Sequence, residues 1–415
     1  LLSATAGQLI DKTEKSLSMQ RIKMLEIFIM LCAAWAFSTG ELYLLIALLF
    51  LMGAQSSLFG PAKYSYIPQH LDDNELIAGN ALVQMGTFVA ILIGTMVGGL
   101  LIAQEDGRVL VSVVLVVLAV LGYVSSLVIP RTPSPCPDLK INWNIFTETG
   151  RNIAFIYKNR TVFLSVLGIS WFWFLGATYL VQLPNYTRLT LGGNEQVVTM
   201  LLTLFTVGIG SGSLLCNWLS GQKVEIGLVP FGSIGLTVFG IDLFLAKPAL
   251  DNAELIGLAS FLQQQGSIRV IADVVLIGVF GGFYIVPLFA LVQQRSDAQH
   301  LSRVIAGNNI LNALLMVLSA IMARVLLGAG VTIAQLFLIV AVLNAAVALY
   351  IYTLVPEFLM RFLVWILIHS VYHVRKKGLE NIPDQGAAVL VCNHVSFVDV
   401  MIIAGCIRRP VRFVM

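Results

Sequence analysis

A histidine and an aspartate near the C-terminal end of the chain have the types and spacing of a catalytic pair. They occur in the segment NHVSFVD at residues 393–399, which contains His394 and Asp399. A neutral imidazole can take a proton from a hydroxyl near pH 7, and such general-base catalysis is worth roughly 10²–10⁴-fold in rate. A carboxylate beside it can fix the imidazole tautomer and stabilise the imidazolium that forms. The pair could therefore activate a hydroxyl for attack on an acyl group.

The elements around this pair should place the two side chains together. The apolar run at residues 387–392 predicts a buried strand, and residues 397–406 predict a helix. His394 then lies on the strand-to-helix turn, and Asp399 lies in the first helical turn, from which it can reach back to the imidazole. An incidental histidine is the competing interpretation.

The flanking sequence favours the catalytic interpretation. GLENIPDQGAAVLVCNHVSFVDVMIIAG, residues 378–405, resembles the opening of the glycerolipid acyltransferase family, whose first motif is Asn-His-x-Ser-x-x-Asp. The resemblance implies a glycerophospholipid O-acyltransferase with His394 and Asp399 as catalytic residues. It also implies an acyl carrier protein or CoA thioester as donor. The family's later Gly/Arg-containing phosphate-binding motif would lie beyond Met415, so this chain alone is expected to be inactive as an acyltransferase.

The rest of the chain has the composition of a membrane protein. Hydrophobic residues make up 58% of it, charged residues 11%, and the mean hydropathy is +0.89, whereas a soluble domain has roughly 25% charged residues. The net charge of +3 is too small to suggest a nucleic-acid partner. The cysteines show no metal-binding spacing, and we expect no metal and no cofactor.

Long apolar runs predict ten membrane-spanning helices after a short apolar stub at residues 1–10, which we interpret as the end of a span whose beginning is missing. The runs are residues 24–37, 42–59, 81–103, 109–130, 162–183, 197–219, 226–246, 270–292, 305–327 and 333–354.

Basic residues are distributed unevenly between the loops. If the loop after the stub is cytosolic, alternation places most of them inside and leaves only five outside: Arg108, Arg188, Lys247, Arg269 and Arg324. This is the positive-inside bias. It predicts a multi-pass protein in contact with the lipid bilayer, with a cytosolic C-terminal part.

The spans fall into two groups. Residues 1–130 are predicted to form an N-terminal half, residues 131–160 a cytosolic linker with a membrane-surface helix, and residues 161–355 a C-terminal half. Residues 356–375 predict an interfacial helix, and residues 376–415 the start of the acyltransferase domain. The tetrapeptide IAGN recurs at residues 77–80 and 305–308, each time after a helix end and a polar loop. The recurrence indicates two repeated halves.

This organisation resembles the major facilitator superfamily, which implies an all-α, two-halves helical bundle with the first one or two helices missing here. Gly7, Asp11 and Lys12 resemble that superfamily's loop between its second and third helices. The glycine would allow close helix approach, and the acid would cap a helix or pair with a basic residue. A positive-inside loop with one acid is the alternative interpretation.

A second motif is more specific. FGPAKYSYIPQ, residues 59–69, with Gly60, Pro61, Lys63 and Tyr64, resembles the lysophospholipid transporter family within the superfamily. The resemblance implies transport of lysophospholipid across the inner membrane. Lys63 could meet the substrate phosphate as a point charge, or it could simply mark the cytosolic boundary.

Polar side chains inside spans are costly and are therefore functional candidates. Asp242, predicted to lie deep in its span, could couple transport to a cation or be a paired packing residue. The amides could bind substrate or bridge helices; they are Gln55, Gln84, Asn308 and Asn312.

The sequence thus predicts a lysophospholipid transporter fused to an acyltransferase that restores the missing acyl chain. The alternatives are an exporter of drugs or small metabolites with a non-catalytic tail, and a purely structural anchor for the acyltransferase.

Overall fold

The fold is known from a computed structural model that describes residues 2–220, 227–246 and 255–354 and parts of the segment that follows. In that segment the described residues are 360, 363, 364, 366, 367, 370, 374, 375, 377, 378, 381–383, 388–393, 395, 396 and 398–406.

The described chain is helical from its beginning. The helices are α1 Leu2–Lys12, α2 Lys15–Thr39, α3 Leu42–Tyr66, α4 Leu76–Ile102, α5 Gly107–Leu127, α6 Ile145–Lys158, α7 Arg160–Leu189, α8 Glu195–Leu219, α9 Leu228–Leu245, α10 Leu258–Gln263, α11 Ser267–Arg295, α12 Leu301–Gly328, α13 Ile333–Leu354 and α14 Val398–Cys406. A short 3₁₀ turn, Ile67–Gln69, follows α3.

Ten of the described helices are long and apolar enough to cross a membrane, which confirms the predicted all-α, multi-pass architecture. They are α2–α5, α7–α9 and α11–α13. Several begin or end a few residues beyond the apolar runs, because polar residues at membrane boundaries continue the helix while they lower the local hydropathy.

The spans pack as two groups of helices. In the first group α2 packs on α3 and α5; in the second, α9 packs on α11 and α13. The groups meet along two seams, α1 against α12 and α4 against α8. We call the end of the bundle that carries α6 and the chain between α5 and α6 the linker end.

Most of the buried core lies in the second group. An 18-residue window of α11 is 78% buried, whereas the corresponding window of α4 is 6% buried, and apolar residues exposed in this way are those that face lipid. Close packing of α8 on α11 depends on glycines: a Cβ atom at Gly208 would lie 3.1 Å from the Cα of Gly278. Small residues permit this backbone approach in lipid.

The linker corrects one expectation about its own helix. The linker helix was predicted to lie on the membrane surface, but its Ile156 is fully buried in the protein interior against Gly307 of α12. The apolar spacing predicted a helix, but it did not show that one of its apolar residues would be used to join α6 to α12.

The C-terminal segment agrees with the sequence only in part. Helix α14 confirms the predicted helix, but residues 388–392 form no strand, and Val389 and Val391 are exposed. A buried strand needs neighbouring strands to pair its backbone groups, and the described residues contain only an isolated bridge between Gly193 and Ile256. The interfacial helix at 356–375 lies largely outside the described residues.

Candidate functional site

The Gly60-Pro61 pair shapes the part of α3 that carries Lys63 and Tyr64. Pro61 lies inside the helix and has no backbone N–H to donate, which weakens one turn. At Gly60 a Cβ atom would lie 2.5 Å from the Nδ2 atom of Asn309, so the glycine lets α3 approach α12. The motif therefore holds this end of α3 against the other half of the bundle.

Lys63 is a half-buried cation beside a second one. Its ammonium lies 4.6 Å from the ring centroid of Tyr64, within reach of electrostatic repulsion from Lys23 on α2. Within the described ranges no carboxylate lies at ion-pair distance from Lys63. The position suits an anionic group such as a phosphate.

Lys23 belongs to a polar network that also contains Gln55. Glu26 accepts hydrogen bonds from the Lys23 ammonium and from the Gln55 amide, each at 2.8 Å. Gln55 is also on the wall of an otherwise apolar cavity of about 250 Å³ between α2 and α3. This side of the N-terminal half thus places the Gln55 amide between the Lys23–Glu26 pair and apolar space.

Tyr64 connects Lys63 to another predicted residue. Its hydroxyl accepts a hydrogen bond from the Gln84 amide at 3.2 Å, and its ring stacks on Phe289 of α11 at 4.6 Å. The other amide atom of Gln84, Oε1, is buried without a hydrogen-bond partner. Lys63, Tyr64 and Gln84 therefore form one continuous group, whereas Gln55 contacts Glu26, the partner of Lys23.

The other predicted residues lie apart from this group. Asn312 accepts a hydrogen bond from Ser170 of α7 at 2.8 Å, which makes it a bridge between helices. Asn308 is fully buried, and both polar atoms of its amide lack a partner. The roles of these amides in substrate binding stay predictions.

Asp242 lies nearer the membrane surface than the sequence suggested. It occupies the last turn of α9, at the end of the bundle opposite the linker, and its Oδ2 accepts a hydrogen bond from Arg269 Nε at 2.9 Å. The apolar residues around Asp242 suggested a deep position. The helix in fact ends only three residues later, which places Asp242 near the end of its span.

Asp273 is a buried acid that the sequence reasoning missed. It is 2% exposed, its Oδ2 has no hydrogen-bond partner, and the negative charge of Asp242 acts on its carboxyl. The principle that singled out Asp242, an acid inside an apolar run, applies equally to Asp273 and could have found it.

The predicted loop motif lies at the linker end, where it joins the two halves. Asp11 is fully buried; it accepts a hydrogen bond from Arg303 Nε at 2.9 Å and another from the backbone N–H of Ser302 at 3.2 Å. The acid therefore both pairs with a base and caps the first turn of α12. At Gly7 a Cβ atom would lie 2.9 Å from Ala306, which explains why a glycine lies there. Lys12 is half-buried, and its backbone carbonyl accepts a hydrogen bond from Ser134.

Gln293 is a second residue that the sequence reasoning missed. Its side chain reaches from α11 into the N-terminal half, donating to the carbonyl of Tyr64 at 3.0 Å and exchanging hydrogen bonds with Asn80. Asn80 and Asn308 end the two copies of the IAGN repeat, so only one copy has this partner. No local pattern marks Gln293, because its partners are distant in sequence.

The proposed catalytic pair is only half described. His394 lies outside the described residues. Asp399 Oδ2 accepts hydrogen bonds from the backbone N–H groups of Val395 and Ser396, at 2.7 and 2.8 Å. The carboxylate thus holds the backbone of Val395 and Ser396, and its catalytic role stays a prediction.

Two family models match the chain. The model of the Major Facilitator Superfamily matches residues 21–320. An acyltransferase model matches residues 373–415.

Curated relatives of the chain are bacterial lysophospholipid transporters named LplT. The Klebsiella pneumoniae protein is 29% identical over 250 residues, which cover 59% of this chain and 57% of the relative. The Serratia proteamaculans protein is 26% identical over 315 residues, covering 75% and 71%. The chain thus spans little more than half the length of the Klebsiella relative.

Solved structures show the same fold. An E. coli fucose:proton symporter matches with a TM-score of 0.64 at 14% identity, covering 85% of this chain and 87% of the symporter. A bacterial homologue of the iron transporter ferroportin, in an outward-facing state, matches with a TM-score of 0.60 at 14% identity, covering 85% and 87%.

Proposed function

The chain belongs to the Major Facilitator Superfamily, and on that premise we propose that its helical bundle moves lysophospholipid across the bacterial inner membrane. The observation that carries the proposal is Lys63 on α3, which has no carboxylate partner among the described residues. Lys23 on α2 adds a second positive charge that repels it, although Lys23 itself is paired with Glu26. A phosphate-bearing headgroup would neutralise this excess of positive charge. The similarity to lysophospholipid transporters points to the same class of substrate.

The surroundings of the two lysines suit an amphiphile. Gln55 lies between the charged pair Lys23–Glu26 and an apolar cavity. A lysophospholipid has one acyl chain beside its phosphate, so it can satisfy the cations and the apolar wall together. A hydrophilic metabolite would make no apolar contact with the wall of the cavity.

The test is uptake of labelled lysophosphatidylethanolamine into vesicles that contain the protein, compared with uptake of small hydrophilic solutes. Lys63→Gln is expected to raise the KM for the lipid roughly tenfold to a hundredfold, because a hydrogen bond to a charged group contributes about 1.5–3 kcal/mol. Lys140→Gln is the matched control, since Lys140 is an exposed lysine of the linker. Equal uptake of lipid by Lys63→Gln and the wild type would remove Lys63 from the site, and uptake of hydrophilic solutes alone would refute the lipid assignment.

A second proposal concerns the acids at the opposite end of the bundle. Asp242→Asn is expected to impair transport without preventing assembly. The Asp242–Arg269 pair is partly exposed, and exposed pairs contribute about 0–1 kcal/mol to stability. The neighbouring Asp273, however, is a buried acid that can share a proton or cation with Asp242.

Transport and thermal unfolding, measured side by side, check this prediction. Asp138→Asn is the control because Asp138 is an exposed acid of the linker. Normal transport by Asp242→Asn would make the residue structural.

The segment that matches the acyltransferase model completes the proposal. In the full-length protein, the hydroxyl of the transported lysophospholipid would attack the thioester of an acyl carrier protein or CoA while His394 takes the hydroxyl proton. The carbon–sulfur bond breaks, the thiol leaves with a proton, and the lipid carries a new ester. The fusion is useful because the product of transport is the substrate of acylation. The positive-inside bias supports a cytosolic location for this step.

A further inference from the structure

Helix α6 turns two polar side chains toward the protein and two aromatic side chains away from it. Glu148 and Asn152 are fully buried, whereas Phe146 and Tyr157 are 76% and 71% exposed. Trp143, just before the helix, is 71% exposed. A helix in contact with water on its outer side would show the opposite arrangement, so the outer face of α6 needs an apolar neighbour.

The inner face of α6 fixes its depth beside the spans. Asn152 donates to the carbonyl of Ala4 on α1 at 3.3 Å, and Ile156 packs on Gly307 of α12. With a rise of 1.5 Å per residue, Ala4 lies about 12 Å and Gly307 about 9 Å from the linker ends of their helices. An interfacial helix buries its apolar face about 5–10 Å into the boundary between headgroups and acyl chains, which is comparable with these distances.

The connection to α7 keeps the helix at that depth. Asn159 is the only residue between α6 and the spanning helix α7, and its side chain accepts hydrogen bonds from the N–H groups of Thr161 and Val162. It also donates to the carbonyl of Arg295 at the end of α11, at 3.2 Å. Tyr157 is therefore held within a few residues of a membrane boundary.

The exposed surface of α6 is divided by charge. At 100° per residue, Phe146, Gly150 and Tyr157 lie on one flank, and Arg151 and Lys158 lie on the other. The acid of this helix, Glu148, faces inward and is paired with Arg151 at 3.3 Å. The outer surface is thus apolar on one flank and basic on the other, which is the pattern of a helix lying in an anionic membrane surface.

We propose that the outer face of α6 is a binding surface for the anionic phospholipids of the cytosolic leaflet. Trp143, Phe146 and Tyr157 lie at the boundary between headgroups and acyl chains, and the basic flank binds lipid phosphates. Because the inner face of α6 contacts both α1 and α12, lipid bound to the outer face holds α6 against the seam between the two halves. The inference does not depend on what the bundle transports.

A fluorescent label on the outer face tests the proposal. Ala154 is exposed on α6, so Ala154→Cys, in a variant with its five native cysteines replaced by serine, can carry an environment-sensitive nitrobenzoxadiazole group. The full chain is placed in nanodiscs of phosphatidylcholine alone or with phosphatidylglycerol. We expect blue-shifted emission that is quenched by lipids brominated near the headgroup, and a larger shift with phosphatidylglycerol. The same label at Glu105→Cys, an exposed position of the loop between α4 and α5, is expected to stay in water.

Two variants separate the apolar from the charged contribution. Phe146→Ser/Tyr157→Ser is expected to abolish the quenching. Both side chains are exposed, but Tyr157 also contacts the ring of Phe163 at 5.2 Å, so thermal unfolding of the double variant is measured as a control. Lys158→Gln is expected to reduce the preference for phosphatidylglycerol about fivefold, since one basic residue near the surface contributes about 1 kcal/mol. Water-like emission in every lipid overturns the proposal. Emission that does not depend on the lipid but changes when residues 373–415 are removed also overturns it. That result would show that the outer face of α6 binds the acyltransferase segment.

Discussion

Replacing Asp11 with alanine is expected to destabilise the protein by about 3–5 kcal/mol, because it leaves Arg303 as a buried charge without its partner. Arg303 is 5% exposed, and Asp11 is the acid that it contacts at 2.9 Å. The remaining contacts of Arg303, with the carbonyl of Gln299 and the ring of Phe155, do not neutralise its charge. Thermal unfolding of the purified protein in detergent measures the loss.

A double-mutant cycle separates the ion pair from the packing around it. Arg303→Met alone is expected to be destabilising as well, whereas Asp11→Ala/Arg303→Met should recover part of the loss, since no charge is then left unpaired. Additive losses in the double variant would show that the two side chains act independently. Asp11→Asn keeps the size of the side chain and is expected to fall between the wild type and Asp11→Ala.

His394→Ala in the full-length protein is expected to reduce lysophospholipid reacylation by roughly 10²–10⁴-fold while uptake of the lipid persists. The imidazole is the proposed base for the attacking hydroxyl, and no step of transport uses it. Acylation is measured by transfer of a labelled acyl chain from a thioester, and uptake is measured in the same vesicles.

Asp399 provides a graded comparison. Asp399→Asn is expected to lower acylation because an amide cannot stabilise the imidazolium as a carboxylate does. Val400→Ala, one position further along α14, is the control. Unchanged acylation by His394→Ala would refute the catalytic assignment of this motif, and loss of uptake as well as acylation would show that the substitution damages the whole protein.

The architecture could be predicted because it rests on signals that are local in sequence. Long apolar runs predict spans in lipid whatever their neighbours are, and the repeated IAGN tetrapeptide indicated two related halves. The motif containing Gly7 and Asp11 also predicted that two helices approach closely at the glycine and that the acid caps a helix or pairs with a basic residue. Its partner, Arg303, could not be named, since nothing in the sequence relates two residues so far apart.

The details of the site depended on such distant relations. Lys63 could be read from its motif, but its proximity to Lys23 arises from the packing of α3 on α2. Gln293 bridges the halves through partners on α3 and α4. Asp242 was misplaced because apolar residues on both sides concealed the end of its helix. The strand at residues 388–392 was predicted from an apolar run that takes an extended form only with strands beside it.

Asn159 couples α6 to two membrane-spanning helices, at a place outside the transport path. Its side chain caps α7 and donates a hydrogen bond to the end of α11, and Asn159 is the single residue that connects α6 to α7. A tilt or rotation of α7 is therefore expected to move α6 and, with it, the exposed aromatic side chains of that helix. A fluorescent probe on that side of α6 would change its emission with each transport cycle. The turnover rate of a single molecule could then be measured without labelling its substrate.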